Sequence, residues 1–273
     1  VSEAIKLSSP ETHEFWEIPV LFEDTELLAL DKPARLLVSP DRYDPNRPNL
    51  MKLLHRDIER GAAWAKGRGL SYLMNAHRLD FETTGVILLV KNKPALVSLA
   101  NQFGSEKPRK TYLAVARGAP SAETFETDAN LAPHPLQTGL MRVVSKGGKR
   151  SRTQFRVAER FKGYVLLECH PLTGRTHQIR AHLRHLRLPI VGDLLYGGSP
   201  LMLSQLKPDY RHKPNQRERP LMDRVALHAH QLTVTQPATT AEVTITSPLP
   251  KDMNVVLKYL RRFSVPQGEA SGG

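Results

Sequence analysis

The densest group of reactive side chains is His77-Arg78-Leu79-Asp80-Phe81-Glu82-Thr83-Thr84-Gly85, and it runs directly into the apolar stretch Val86 to Val90. A carboxylate on a loop anchored by a buried strand can be held facing a cleft, with an Arg and a His beside it. The same residues could instead form a chemically silent surface pair between Asp80 and Arg78. A second group, Lys110-Thr111-Tyr112, opens a strand on which alternation puts Tyr112, Ala114 and Ala116 on one face. Small neighbours leave room beside the ring for a planar ligand, although an ordinary core tyrosine would look the same. The third group runs from His170 to Arg184 and contains Thr173-Gly174-Arg175-Thr176-His177-Gln178. At about 3.6 residues per turn, Ile179, Leu183 and Leu186 make a buried stripe, while Arg180, Arg184 and Arg187 make a second one rotated by about 100°. That second stripe is either a row of guanidinium groups facing a cleft or a solvated basic face. Thr173 or Thr176 is the expected cap.

Other chemistries lack their residues. His182 and His185 suggest zinc, but a catalytic zinc needs about three protein ligands and no Glu follows at metalloprotease spacing. Cys169 is the only cysteine, so neither an intrachain disulfide nor a thiolate cluster can form, which fits a reducing cytoplasm. It reads as a buried strand residue. There is no phosphate-cradling glycine loop and no dinucleotide fingerprint. The expectation is therefore no metal and no cofactor.

Charge points to the partner. Lys and Arg number 39 against 27 Asp and Glu, a net +12. From Arg142 to Arg187 the sequence carries a basic stripe that includes Lys149, Arg150 and Arg152, opposed only by Glu159 and Glu168. Such a stripe suits phosphates and predicts salt-sensitive binding to nucleic acid. No apolar run approaches the roughly 20 residues of a membrane span, and Val1 to Glu14 lacks a secretory layout.

The elements that must position these groups alternate irregularly. Leu27–Leu30 reads as a strand, Pro48 and Asn49 start a helix with Leu50, Leu53, Leu54 and Ile58 inward, and Gly61 to Gly69 is a break. Pro94 opens a helix with the stripe Leu96, Leu99, Ala100 and Phe103, stopped at Gly104. Thr111 to Ala116 is a strand. Thr153 to Val157 and Tyr164 to Cys169 form an antiparallel pair around Lys162-Gly163, and Gly174 to Leu188 reads as a helix. Val225 to Leu227, Leu232 to Thr235 and Val243 to Thr246 close the strands, and Asp252 caps a last helix with Val256, Leu257 and Leu260 inward. Without a βαβ rhythm, the expected class is α+β with a mixed, mainly antiparallel sheet. Residues 1–14 are expected to be a loose arm, 15–263 one catalytic domain with a surface loop at 197–220, and 264–273 a disordered tail.

Together the three groups resemble the RluA-type pseudouridine synthases. The resemblance rests on an HRLD-x-x-T-T-G block at His77 to Gly85, a K-x-Y block at Lys110 to Tyr112, and a TGR-x-HQ-I-R block at Thr173 to Arg180 followed by Gly192-Asp193-Leu194-Leu195-Tyr196. Glu23-Asp24, Asp31-Lys32-Pro33, Gly148-Lys149 to Thr153 and Leu227-His228-Ala229 also match. Arg35 stands where such proteins usually carry Gly after the K-P turn, and Thr84 replaces the commoner Ser. With only about 20 residues before the catalytic block, the S4-type RNA-binding domain of many relatives is not expected in this stretch, and RNA selection is expected to rest on the catalytic domain itself or on a further segment.

The resemblance implies an isomerase, an intramolecular transferase that converts uridine to pseudouridine in ribosomal or transfer RNA without a cofactor. It implies that Asp80 is the catalytic carboxylate, that Arg180 is the cation keeping it ionised, and that Tyr112 lies against the base. Lys32 and Leu227 would support the cleft. His77 would orient the nucleotide, and Arg78 would enter the space left by an extruded base. Lys149, Arg150, Arg152, Arg184 and Arg187 would hold phosphates. The three groups are expected to meet in one pocket of a monomer. The rival reading is a non-catalytic RNA-binding or ribosome-assembly protein on the same fold, which would have no use for Asp80, Tyr112 and Arg180 as a set.

Overall fold

The computed structural model describes residues 4–41, 44, 46–211 and 217–266. The chain forms two compact units, Val1–Lys110 with Ala229–Pro248, and Thr111–His228 with Leu249–Gly273. The first holds β1 (Ala4–Ser8), β2 (Phe15–Glu23), β3 (Leu27–Lys32), α1 (Leu50–Glu59), α2 (Ala63–Lys66), β4 (Met74–Asn75), β5 (Thr84–Val90) and α3 (Lys93–Gly104). β6 (Arg109–Arg117) carries the chain into the second unit. There follow β7 (Thr124–Thr127), β8 (Asn130–Pro133), β9 (Met141–Val144), β10 (Thr153–Phe161), β11 (Tyr164–Pro171), α4 (Gln178–His185) and α5 (Leu203–Leu206). β12 (Leu227–Thr235) returns to the first unit, β13 (Glu242–Thr246) pairs with it, and α6 (Lys251–Phe263) belongs to the second.

In the first unit the strands run in the order β1-β2-β3-β5-β12, with β4 added to β5. β5 is apolar on both faces and wholly buried, as a central strand must be. It pairs antiparallel with β3 from Leu27↔Val90 to Lys32↔Gly85. Leu88, Val90, Leu232 and Ile245 pack with Ala95 and Leu99 of α3. Asn49 and Asn92 cap α1 and α3 by accepting the amides of Lys52 and Ala95 at 2.9 and 2.8 Å.

Gly85, which joins the Asp80 loop to β5, has a φ of 108°, and a Cβ there would lie 2.2 Å from the Ala229 carbonyl oxygen. Gly85→Ala is therefore expected to cost about 3 kcal/mol or more, because backbone rather than a flexible side chain must yield. Urea unfolding measures it. A loss below about 1 kcal/mol would mean that β12 does not press on this strand.

The second unit has the order β6-β11-β10-β7 and a separate two-stranded sheet, β8-β9. β10 and β11 form a hairpin closed at Phe161↔Tyr164, with Gly163 at a φ of 78°. The core gathers Val115, Phe155, Leu167 and Leu183 with Met253, Val256, Leu257 and Leu260 of α6.

Several sequence expectations need correction. Ala4–Ser8, read as part of a loose arm, is a strand paired with β2, and Ile5 and Leu7 are buried there. The break after Gly61 contains α2. In α3 Ala95 is buried and Ala100 exposed, which rotates the inward stripe. Residues 197–220 are not only surface loop: Leu201 pairs with Met222, and Leu206 of α5 is buried. Residues 212–216 lie outside the described residues. The two segments at Val225–Leu227 and Leu232–Thr235 give way to one strand, β12. Asp252 lies in the first turn of α6 but does not cap it, since it grips the Arg224 guanidinium at 2.6 and 2.7 Å. Most of the tail, 267–273, lies outside the described residues.

Candidate active site

The Asp80 loop is held from both ends. On its entry side β4 pairs with β5, and the Ala76 amide donates to the Leu88 carbonyl at 2.9 Å. His77 follows. Its Nε2 accepts the Leu88 amide at 3.1 Å, and its ring stacks on Phe103 at 5.3 Å. On the exit side the Thr83 amide closes a turn onto the Asp80 carbonyl at 3.1 Å. The Phe81 carbonyl accepts the Arg35 amide at 2.8 Å and the Lys32 ammonium at 3.3 Å. Lys32 is fully buried and also donates to the carbonyls of Pro33 and Leu36 at 2.7 and 2.8 Å. The Phe81 ring lies under the Arg47 guanidinium at 4.0 Å. Between these anchors Asp80 is half-buried and Arg78 exposed.

Two sequence observations gain a physical basis. Lys32, buried among carbonyls, braces the residue after Asp80. Arg35 has a φ of 61°, the left-handed backbone that Gly adopts freely. This chain pays strain there and directs the Arg35 amide at the Asp80 loop.

His77 is tied into the scaffold through its contacts with Leu88 and Phe103. Burial, reinforced by the charge of Lys110, pushes its pKa down from 6.5 to about 4. A neutral ring is what lets Nε2 accept the Leu88 amide. Unfolded, the ring takes a proton below about pH 6.5, whereas the folded ring stays neutral to about 4. This contribution is therefore complete above pH 6.5 and lost as pH falls toward 4, by on the order of 3 kcal/mol in all. Urea midpoints measured from pH 7.5 to 4.5 should fall more steeply for the wild type than for His77→Gln. Parallel curves would show that His77 titrates normally.

In the second unit, Tyr112 lies opposite Cys169 in the β6·β11 register and is half-buried against the core. The next residues in β6, Leu113 to Ala116, are buried on both faces, so only the start of the strand leaves a ring partly open.

Arg180 rides on α4, and the turn before that helix explains the spelling of its motif. The buried Gln178 amide is the hub. Its Oε1 accepts the Thr173 hydroxyl at 2.6 Å and the Arg175 amide at 3.0 Å. Its Nε2 donates to the Arg152 carbonyl and the Thr153 hydroxyl, both at 2.9 Å. The helix begins at Gln178 rather than Gly174, because His177 sits in the left-handed region at a φ of 52°. Neither Thr173 nor Thr176 caps it. His177 instead meets the Tyr196 hydroxyl at 3.0 Å, and that hydroxyl accepts the Met141 amide at 2.9 Å.

The expected stripe of Arg180, Arg184 and Arg187 divides. Arg180 is buried, and its Nε and Nη2 donate to the two carboxylate oxygens of Asp193 at 2.7 and 2.9 Å. Its guanidinium also lies 4.9 Å from the centre of the Tyr196 ring. Arg184 is exposed on the helix, and Arg187 is exposed beyond its end at a φ of 60°. Asp193 and Tyr196 are thus the positioning residues that sequence reasoning left without a role. The signal was available in the Gly192 to Tyr196 block. His182 is structural, with contacts to Thr153 and the Ala129 carbonyl at 2.9 and 3.0 Å, and burial lowers its pKa.

The basic stripe is less one-sided in space than in sequence. Arg152 makes two bonds to Glu126, at 3.0 and 2.8 Å, Arg156 pairs with Glu168, and Arg160 pairs with Glu123. Glu126 reaches Arg152 because β7 lies beside β10, which no local spacing reveals. Arg152 thus shares its charge with a carboxylate in an exposed pair. Lys149 and Arg150 are exposed, and the Arg150 carbonyl accepts the Arg175 side chain at 2.9 Å. Leu227 is buried in the core of the second unit and does not present an open apolar face. Among the described residues no three His, Cys, Asp or Glu side chains gather as a metal site requires, and no helix is long and apolar enough to cross a membrane.

Known proteins resemble this chain in sequence and in fold. Residues 26–185 match the sequence profile of the family described as RNA pseudouridylate synthase. The chain is 37% identical over 247 residues to the ribosomal large subunit pseudouridine synthase D of Xylella fastidiosa, covering 90% of this chain and 70% of that one. It is 32% identical over 251 residues to the protein of the same name from Vibrio vulnificus, covering 92% and 73%. Among solved structures, Human RNA Pseudouridylate Synthase Domain Containing 4 superposes with a TM-score of 0.69 at 26% identity, covering 89% of this chain and 92% of that one.

Proposed function

We propose, from the premise that this chain belongs to the RNA pseudouridylate synthase family as an RluA-type enzyme isomerising uridine in RNA to pseudouridine, that Asp80 is the carboxylate that drives the reaction and that its substrate is ribosomal RNA of the large subunit. The isomerisation breaks the bond between N1 and the ribose, turns the uracil and joins C5 to C1′. A proton leaves C5 and one is gained at N1. A carboxylate can attack the sugar, attack the base or remove a ribose proton, and each role requires it ionised. The observation that carries Asp80 is the bracing of its loop. A buried ammonium and a strained Arg35 hold the Phe81 carbonyl next to a half-buried acid, which suits a group whose position decides its rate.

Arg78, exposed two residues away, is suited to fill the gap left by a flipped uridine. Tyr112 acts against the base and Arg180 as the cation. The large-subunit substrate follows the names of the bacterial relatives, and the work is done by a monomer in the cytoplasm. The test is tritium release from RNA labelled at uridine C5. Large-subunit ribosomal RNA transcript should release tritium at least about tenfold faster than a transfer RNA pool. Equal or reversed rates would overturn the substrate assignment, and no release from either would overturn the activity.

A further inference from the structure

We infer that the second unit carries an RNA contact of its own: a groove between the β8-β9 hairpin and α4 that seats one unpaired nucleotide of the substrate, its base on an apolar floor and its phosphate on Arg142 and Arg184. The inference rests on the chain's acting on RNA and concerns a site on residues other than Asp80, Tyr112 and Arg180.

The groove has a volume of about 510 Å³, within the range that holds a nucleotide-sized ligand. Leu140, the exposed Leu195 and the edge of the buried Tyr196 line it together with Arg142, Arg184 and His185. Among the described residues lining it none is acidic. This distinguishes the site from the arginines on and beside β10. Arg152, Arg156 and Arg160 are each tied to a glutamate, whereas Arg142 and Arg184 are exposed and have no carboxylate partner among the described residues. The groove is also built rather than incidental. The hairpin is registered from Asn130↔Val144 to Pro133↔Met141, and the Met141 amide is tied to the buried Tyr196 hydroxyl. The hydroxyl that anchors the hairpin belongs to the ring that covers the Arg180 guanidinium, so groove and helix share one support.

An apolar floor with a cationic rim suits a single-stranded nucleotide, which offers a flat base and a phosphate together. A duplex offers mainly phosphate and sugar, and would leave Leu195, 46% exposed, without a partner.

The test uses the full chain and a fluorescein-labelled ten-residue oligouridylate followed by anisotropy. Arg142→Glu with Arg184→Glu should raise Kd at least about tenfold and reduce the salt slope by about 1.4, two single-strand phosphate contacts. A control pair of equal charge change, Lys162→Glu with Lys258→Glu, lies on exposed positions away from the groove and should change Kd less than about twofold. Equal losses from both pairs would mean that only overall charge matters and would overturn the site. Leu195→Asn, which changes no charge, should weaken binding about fivefold without altering the salt slope, and an unchanged Kd would remove the base seat. With ribosomal RNA, the groove pair should lower kcat/KM through KM. A collapse of kcat in a folded protein would make the groove part of the reacting centre and contradict the inference. If the wild type binds as stated but forms no pseudouridine, the catalytic reading fails and the groove stands.

Discussion

Asp80→Asn should abolish pseudouridine formation, lowering tritium release from uridine-labelled ribosomal RNA by at least about 10³-fold while the protein stays folded. Asn matches Asp in shape and keeps an acceptor oxygen, but it has no charge and is neither a useful nucleophile nor a base. The loop's own carbonyls are held by the Thr83 amide on the Asp80 carbonyl, and by the Lys32 ammonium and the Arg35 amide on the Phe81 carbonyl. These bonds do not run through the carboxylate, so the loop should keep its backbone frame and the variant should still unfold in one cooperative transition. RNA affinity should stay within a few-fold of wild type, because an exposed Arg78 and the basic surface remain. Loss of activity together with loss of fold would instead make Asp80 a structural residue.

The second large effect concerns Arg180 and Asp193. Both are buried and joined by two short bonds, and one Asp193 oxygen also accepts the Tyr196 amide at 3.3 Å. Asp193→Ala removes both carboxylate bonds to a buried guanidinium, a loss of about 3–5 kcal/mol and a fall in Tm on the order of 10 °C. Pseudouridine formation should fall with it. A structural role alone would predict the same result, so a double variant is needed. Arg180→Met with Asp193→Leu replaces the pair by apolar side chains of similar size and should recover most of the stability, since the desolvation of two charges is removed with their attraction. If Arg180 serves the reaction, this variant is folded and still at least about 100-fold slower. A double variant that regains both stability and rate would reduce the pair to a structural brace.

What could be read in the sequence follows the range of the forces involved. β5, the β10-β11 hairpin and α1 with its Asn49 cap depend on residues within a few positions of each other, and periodicity and turn chemistry suffice for them. Lys32, His77 and Gln178 were legible as motif letters but not as roles. Their partners are the carbonyl of Phe81, the amide of Leu88 and the backbone of Arg152, up to 49 residues away. The left-handed turn at His177, which shortens the Arg180 helix, has no compositional signal, since a glycine would have been the expected residue there. The basic stripe misled because strand pairing brings Glu123 and Glu126 to arginines some 26 to 37 residues later. Sequence reasoning counted those charges as free.

The most direct measurement is pseudouridine mapping across large-subunit ribosomal RNA in a strain lacking this gene, complemented with either wild type or Asp80→Asn at matched protein levels. Sites that vanish with the gene should return with the wild type and remain uridine with Asp80→Asn. Restoration of those sites by Asp80→Asn, or a pattern that deletion leaves unchanged, would contradict the assignment of this carboxylate to the isomerisation.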